Sequence, residues 1–331
     1  GVQMARTEFA RAVQENRQPR ISVIFTYEEA ARKMGPRIWS IAAQIRRDKL
    51  EQLTVPRLQL TTADNLEEYE HHIAGVGDYR EGEYERWVKA RGWLPSVLWV
   101  ADMSGSEKFP NAGSGYVDEV VSVLEGIRAQ SGDRAYLSIL LDFAGLMCER
   151  YQHAQAMDES QLRHLLKGLG DRCRREISER YSCTTWIFHQ IAPTHATSSP
   201  TKPLHHSMAS ESRAFAEFLA VCGCIGVPDS KTGCRLLNWS KTRYARTETL
   251  EPIPLRIHDT FASFEDVSDM YCVDHVGRSF VSTDVYHRIC DGSEQEDTAS
   301  TVARSLYQHS QSLGHGHMRP SVPDPDAGLV S

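Results

Sequence analysis

The sequence predicts an α/β fold with a mostly parallel, twisted sheet flanked by helices. Three observations carry that expectation. Ala135–Met147 (AYLSILLDFAGLM) opens with an apolar run that reads as a buried strand of a parallel sheet and leads straight into Asp142. Ile21–Phe25 (ISVIF) is a second run of this kind, and a helix-patterned segment, Ala30–Arg47, follows it. Helical and extended patterns then alternate through most of the first 258 residues.

In chain order, Glu8–Glu15 has a helical pattern, preceded by GVQMART. The strand Ile21–Phe25 ends in Thr26-Tyr27-Glu28-Glu29. In Ala30–Arg47, Ile38, Ile41 and Ile45 keep near-helical spacing despite Pro36. RLQLTT within Gln52–Thr62 is a short strand candidate, and the charged Asn65–Gly92 reads as a solvated helical excursion that carries His71 and His72. Ser96–Val100 (SVLWV) reads as a strand leading into Ala101-Asp102-Met103. A Gly/Ser/Pro loop, Ser104–Gly115, precedes an amphipathic helix at Tyr116–Gln130.

After Met147 comes a polar stretch, Cys148–Ser160, and then a basic helix, Gln161–Ser178, with Leu162, Leu165, Leu166 and Leu169. Thr184–His189 reads as a strand ending at Gln190. Ile191–Ser207 is rich in Pro, Ser, Thr and His and reads as a mobile loop, followed by helical Met208–Phe218. Leu219–Val227, Cys234–Trp239 and Leu255–Ile257 read as further strands, the last closing the sheet. Residues 259–290 form a small extension. Residues 291–331, poor in large apolar side chains, read as a disordered tail in which His315 and His317 are weak metal candidates.

With 40% hydrophobic residues the chain can bury a core. The net charge of −7 argues against a protein that coats nucleic acid by bulk charge, while leaving room for a local basic patch or channel. No apolar stretch is long enough to span a bilayer. The N-terminus does not resemble a signal peptide. Residue 1 is Gly rather than Met, consistent with a fragment or a processed product. The eight cysteines form no CxxC pair, a scatter that suits a reducing cytoplasm. Cys222, Cys224 and Cys234 are a weak metal set, because the first two lie in the apolar run FLAVCGCIGV, where free Cys behaves as a small hydrophobe.

Four strand ends carry polar residues: Glu28, Asp142, Gln190, and Lys241 with Arg243. In a parallel sheet, strand ends from distant sequence meet along the carboxyl edge, where ligands bind. Asp142 there suits Mg²⁺, directly or through water, and equally suits a helix cap. Glu28 suits orienting or deprotonating a water, and Gln190 suits a hydrogen bond to a terminal phosphate. Lys241 and Arg243 suit neutralising developing charge. Ordinary polar caps explain any one of these residues; the ordered set points to phosphate chemistry.

The order of these segments resembles the RecA-like ATPase domain of DnaB-type replicative helicases and their KaiC-like relatives. VIFTYEE (Val23–Glu29) resembles the strand ending in the catalytic glutamate, its double Glu being closer to KaiC. LDFAGLM (Leu141–Met147) resembles the Walker B segment, and WIFHQ (Trp186–Gln190) the strand ending in a sensor glutamine. SMASESRAFAEFLA (Ser207–Ala220) resembles the segment after a DNA-binding loop, with Glu211-Ser212 matching the end of its RES. Lys241-Thr242-Arg243 resembles the K-x-R finger that reaches a neighbouring subunit's nucleotide.

The resemblance covers residues 1–258 and implies a P-loop NTPase core. It implies that Ala5, Arg6 and Thr7 align with the GKT of Walker A, with Thr7 and Asp142 at Mg²⁺, and that the first strand and first glycine lie before residue 1. Arg6 for Lys and Ala5 for Gly are departures, since a planar guanidinium does not replace an ammonium and a Cβ crowds the phosphate turn. What the resemblance implies is an ATP-hydrolysing motor, acting on single-stranded DNA as a homohexameric ring, with Glu28 or Glu29 as base. The loops after Met147 and after Gln190, the latter with Lys202, His205 and His206, would face the DNA. The alternatives are a KaiC-like ATPase that does not unwind, and a non-catalytic RecA-like assembly module with impaired nucleotide binding.

Overall fold

The computed structural model describes residues 1–46, 82–104, 116–156, 158–196, 199–208, 213–243, 250–258, 263–274 and 278–290. The RLQLTT strand candidate, the histidine pair at 71–72, Glu211-Ser212 and the tail beyond 290 lie outside these residues. The chain divides into two compact units. The first holds Gly1–Ala192, Ala209–Leu219 and His258–Ser263; the second holds Pro193–Met208, Ala220–Ile257 and the described residues from Phe264 onward.

The first unit is built on a four-stranded parallel sheet in the order β2-β1-β3-β4. Its strands are β1 (Ile21–Thr26), β2 (Leu98–Asp102), β3 (Tyr136–Asp142) and β4 (Thr184–Ile187). β1 is buried at every position, as expected of a central strand with helices on both faces. The two-residue period divides its side chains between two cores.

Ile21, Val23 and Phe25 join Ile139 and Leu141 of β3 in the first core. That face is covered by α4 (Tyr116–Ser131), through Val117, Val120, Leu124 and Ile127, and by α6 (Glu159–Cys173), through Leu166 and Leu169. Ile24 and Leu140 face the second core. Here α1 (Val2–Gln14), α2 (Ala31–Ala43) and α3 (Glu83–Val97) close over the sheet. Trp39 of α2 and Trp87 of α3 meet there with ring centroids 4.4 Å apart. The buried hydroxyls of Ser22 and Ser138, in register on β1 and β3, satisfy each other at 2.9 Å.

Several boundaries differ from the sequence reading. The polar stretch after Met147 is helical: α5 runs Ala144–Ala154. The carboxyl group of Asp158 and the side chain of Gln161 form a capping box that starts α6. Ile191–Ser207 contains two short helical turns, Pro193–Ala196 and one beginning at His206. Ser96 and Val97 end α3 rather than beginning β2.

The second unit holds an antiparallel sheet in the order β5-β6-β7-β8. Its strands are β5 (Val221–Ile225), β6 (Cys234–Thr242), β7 (Ile253–His258) and β8 (Ser263–Asp266). β9 (Tyr271–Val273) pairs with β10 (Phe280–Ser282), and α7 (Thr283–Cys290) follows. The single parallel sheet expected to run on to Leu255–Ile257 is therefore two sheets, since hairpin connections allow the later strands to pair antiparallel.

Candidate active site

The register of the parallel sheet brings three residues side by side at its carboxyl edge. Thr26 of β1 is paired with Asp102 on one side and with Asp142 on the other. The backbone continues this zipper beyond the strands. Tyr27 N–H donates to the Asp142 carbonyl at 2.8 Å, and Met103 N–H donates to the Thr26 carbonyl at 2.8 Å. Phe188 N–H donates to Leu141, and Ala144 N–H returns a bond to Phe188. Glu28 thus leaves the sheet one residue after a peptide tied directly to Asp142.

The acidic residues at this edge have different surroundings. Asp102 accepts the Ala31 N–H at 2.9 Å, capping α2, and accepts from the Ser104 backbone and hydroxyl. Glu29 accepts a 2.6 Å hydrogen bond from Arg37, and its carbonyl accepts from the Thr26 hydroxyl. Glu28 is exposed, and neither its carboxylate nor that of Asp142 has a hydrogen-bond or ion-pair partner among the described residues. Burial pushes the Asp142 carboxyl above its ordinary value, and the charges of Glu28 and Glu29 push it further, against the pull of Arg37. An anionic oxygen set with one nearby counter-cation is chemistry that a hard divalent cation such as Mg²⁺ fits.

The other expected site residues are placed as follows. Gln190 is exposed, three residues past the end of β4. Ala5, Arg6 and Thr7 lie within α1, whose N-cap is Gly1. The N–H groups that the helix start leaves free belong to Val2, Gln3 and Met4, and such groups suit a phosphate. Thr7 sits about 7 Å further along the axis than Val2, exposed, its hydroxyl donating to the Gln3 carbonyl at 3.1 Å. Ala5 is buried in the second core and Arg6 is exposed.

Lys241 and Arg243 belong to the second unit, on and just after β6. β6 carries a bulge there: Gly223 pairs with Trp239 but Cys222 pairs with Lys241, so Ser240 is the additional residue. An unbroken ladder would set Lys241 opposite Val221, which instead pairs with Thr242. The loop expected to be mobile is tied to the same strand. Asn238 donates to the Leu204 carbonyl at 2.8 Å, and the His206 N–H donates to the Ser240 hydroxyl at 3.1 Å. Lys202 and His205 in this loop are exposed.

Arg37 and Asp102 were not assigned roles from sequence. Asp102 carried the same strand-end signal as Asp142. Arg37 carried none, since its pairing with Glu29 depends on how α2 is docked. Among the described residues no group of three or more His, Cys, Asp or Glu side chains is arranged to hold a metal, and Cys222, Cys224 and Cys234 are buried thiols. No described helix is long and apolar enough to cross a membrane.

Solved structures share this architecture. The chain is similar to the solved ATPase domain of a DnaB-like helicase, with a TM-score of 0.52 and 9% identity over 80% of this chain and 79% of that one. The fold is that of a RecA-like helicase ATPase domain. A DnaB-like replicative helicase, described with its interactions with primase, matches with a TM-score of 0.50 and 10% identity. That match covers 78% of this chain and 52% of the other, so the chain spans about half the length of that helicase. No protein-family model and no curated protein matches the chain. At such identities the likeness speaks to the RecA-like fold.

Proposed function

We propose that the chain is an ATP-binding and hydrolysing motor domain of the DnaB helicase type, acting on single-stranded DNA as a ring. One observation supports this most directly. Two carboxylates without protein partners among the described residues, Glu28 and Asp142, stand on adjacent strands of a RecA-like sheet and are linked through the Tyr27–Asp142 backbone hydrogen bond. In this reading Asp142 holds Mg²⁺, which when bound offsets phosphate charge. Glu28 accepts the proton of the attacking water, a task suited to the one glutamate that Arg37 does not occupy. The first turn of α1 offers N–H groups to phosphate, and Gln190 hydrogen-bonds the terminal phosphate. Lys241 and Arg243 of a neighbouring copy offset the charge that develops on transfer. Lys202, with His205 and His206, contacts the DNA backbone.

A second reading has its own observation. Arg6 and Thr7 are held in helical backbone beyond the first turn of α1, which favours a RecA-like module that binds nucleotide weakly. ATP turnover with and without single-stranded DNA separates the readings. Turnover stimulated by DNA supports the motor, and turnover indifferent to DNA supports a KaiC-like ATPase. Absence of both turnover and ATP binding supports the module. Under the motor reading, Glu28→Gln lowers turnover by about 10²–10⁴-fold with ATP affinity retained, whereas Glu29→Gln leaves most of it. Equal effects of the two substitutions would contradict the assignment of the base.

A further inference from the structure

We propose that Arg150 is a positioning residue for the acidic edge: its guanidinium ties the exits of β1 and β2 to α5 and thereby fixes Glu28 relative to Asp142. The inference rests on the reading of Glu28 and Asp142 given above and adds a residue to it.

Arg150 lies on α5, the helix that follows Asp142. One amino group donates to the Met103 carbonyl. The other donates to the Tyr27 carbonyl at 2.6 Å and to the Ser104 carbonyl at 3.2 Å. These acceptors belong to two different strand exits, one immediately before Glu28 and one immediately after Asp102. Tyr27 is consequently held three ways. Its N–H bonds to the Asp142 carbonyl, its carbonyl to Arg150, and its ring is buried in the first core. With the preceding residue clamped at both ends, the Glu28 backbone has little freedom to drift from Asp142.

The clamp requires the guanidinium. Its two amino groups diverge from a rigid plane and reach both exits, whereas a lysine ammonium is a single point. No carboxylate among the described residues forms an ion pair with Arg150, so its charge is met by carbonyl dipoles and remains a cation beside an anionic edge. A residue present only to neutralise an acid would be expected to sit on one.

The test uses the full chain carrying Arg150→Lys and, separately, Arg150→Gln, each with ATP turnover, ATP binding and site-resolved amide hydrogen exchange. The expected result is a fall in kcat of about 10–100-fold, the scale of a misplaced reacting group, with KM and ATP affinity near the parent values. The Tyr27 and Met103 amides should exchange at least about tenfold faster, a local opening, while Ile139 and Leu140 in β3 keep their protection. Parent kcat with unchanged exchange at Tyr27 and Met103 would overturn the proposal. So would acceleration throughout the sheet with a lowered Tm, because that describes a general packing role. If the parent chain shows no turnover, the functional reading fails and the exchange experiment alone decides whether Arg150 is the clamp.

Discussion

Glu28 and Glu29 are adjacent in sequence and end in different chemical situations. Arg37 reaches Glu29 from α2, while Glu28 is left exposed with Asp142 as its charged neighbour. Glu8 shows the opposite use of a carboxylate. Its side chain is only 2% exposed, at the α1–β1 junction, and is held by Arg17 and Arg20. Burial alone would raise its pKa, but hydrogen bonds from Arg20 and Arg17 hold it down to about 2. The sign of the pH effect follows. A carboxylate depressed in the fold stabilises it above its unfolded value, and that stabilisation is lost as pH falls from about 4.5 toward 2. Both arginines are about a third exposed and partly screened, so the contribution is on the order of 2 kcal/mol. Glu8→Gln should lower the denaturant midpoint at pH 7 and flatten the acid limb of the stability curve. A midpoint equal to the parent's at pH 7 would show that the pair contributes nothing net.

Among the elements, the β5–β6 pair is the most constrained. Gly223 sits under the Trp239 ring, where an added Cβ would come within 3.0 Å of the ring and 3.2 Å of Leu237. The glycine lets the indole lie flat across the hairpin beside the Ser240 bulge. Ser240 accepts from the His206 N–H and lies 3.4 Å from the Cys224 sulfur, so the bulge is anchored from two sides. Gly223→Val must displace either Trp239 or the strand. A cost of about 1–3 kcal/mol is expected from overpacking, read as a lower unfolding midpoint with slowed folding only if this hairpin forms early. An unchanged midpoint would mean that the indole moves aside freely.

At the scale of the whole molecule, the acidic residues and the basic pair belong to different units. Glu28 and Asp142 sit on the parallel sheet of the first, Lys241 and Arg243 on the antiparallel sheet of the second. Under the proposed function the basic pair acts on a neighbouring copy, so turnover requires assembly. Arg243→Ala should leave ATP binding to the isolated chain intact and lower turnover of the assembled form by about 10²-fold or more, as loss of a charge-stabilising finger does. Specific activity of the parent should rise with protein concentration. Full activity of Arg243→Ala, or activity independent of concentration, would place the stabilising charge elsewhere.

Much of the first unit is legible in local pattern. β1 and β3 are apolar runs because both faces of a central parallel strand are buried, and Tyr116–Gln130 shows its helical period because only one stripe of α4 meets the core. Glu28, Asp142 and Gln190 stood out because polar residues ending such strands break the run. The helical state of Cys148–Ala154 did not, since its polar face reads as a loop when the packing surface is unseen. Local order along the chain thus determined the fold class and named the acidic edge. Tertiary structure alone decided which carboxylate Arg37 occupies, that Arg150 joins two strand exits, that Ala5–Thr7 lie inside a helix, and that Lys241 stands on a second, antiparallel sheet. Each of these depends on contacts or pairings between residues that chain neighbours do not specify. Strand direction and register are settled by which partner buries the most apolar surface while satisfying its backbone.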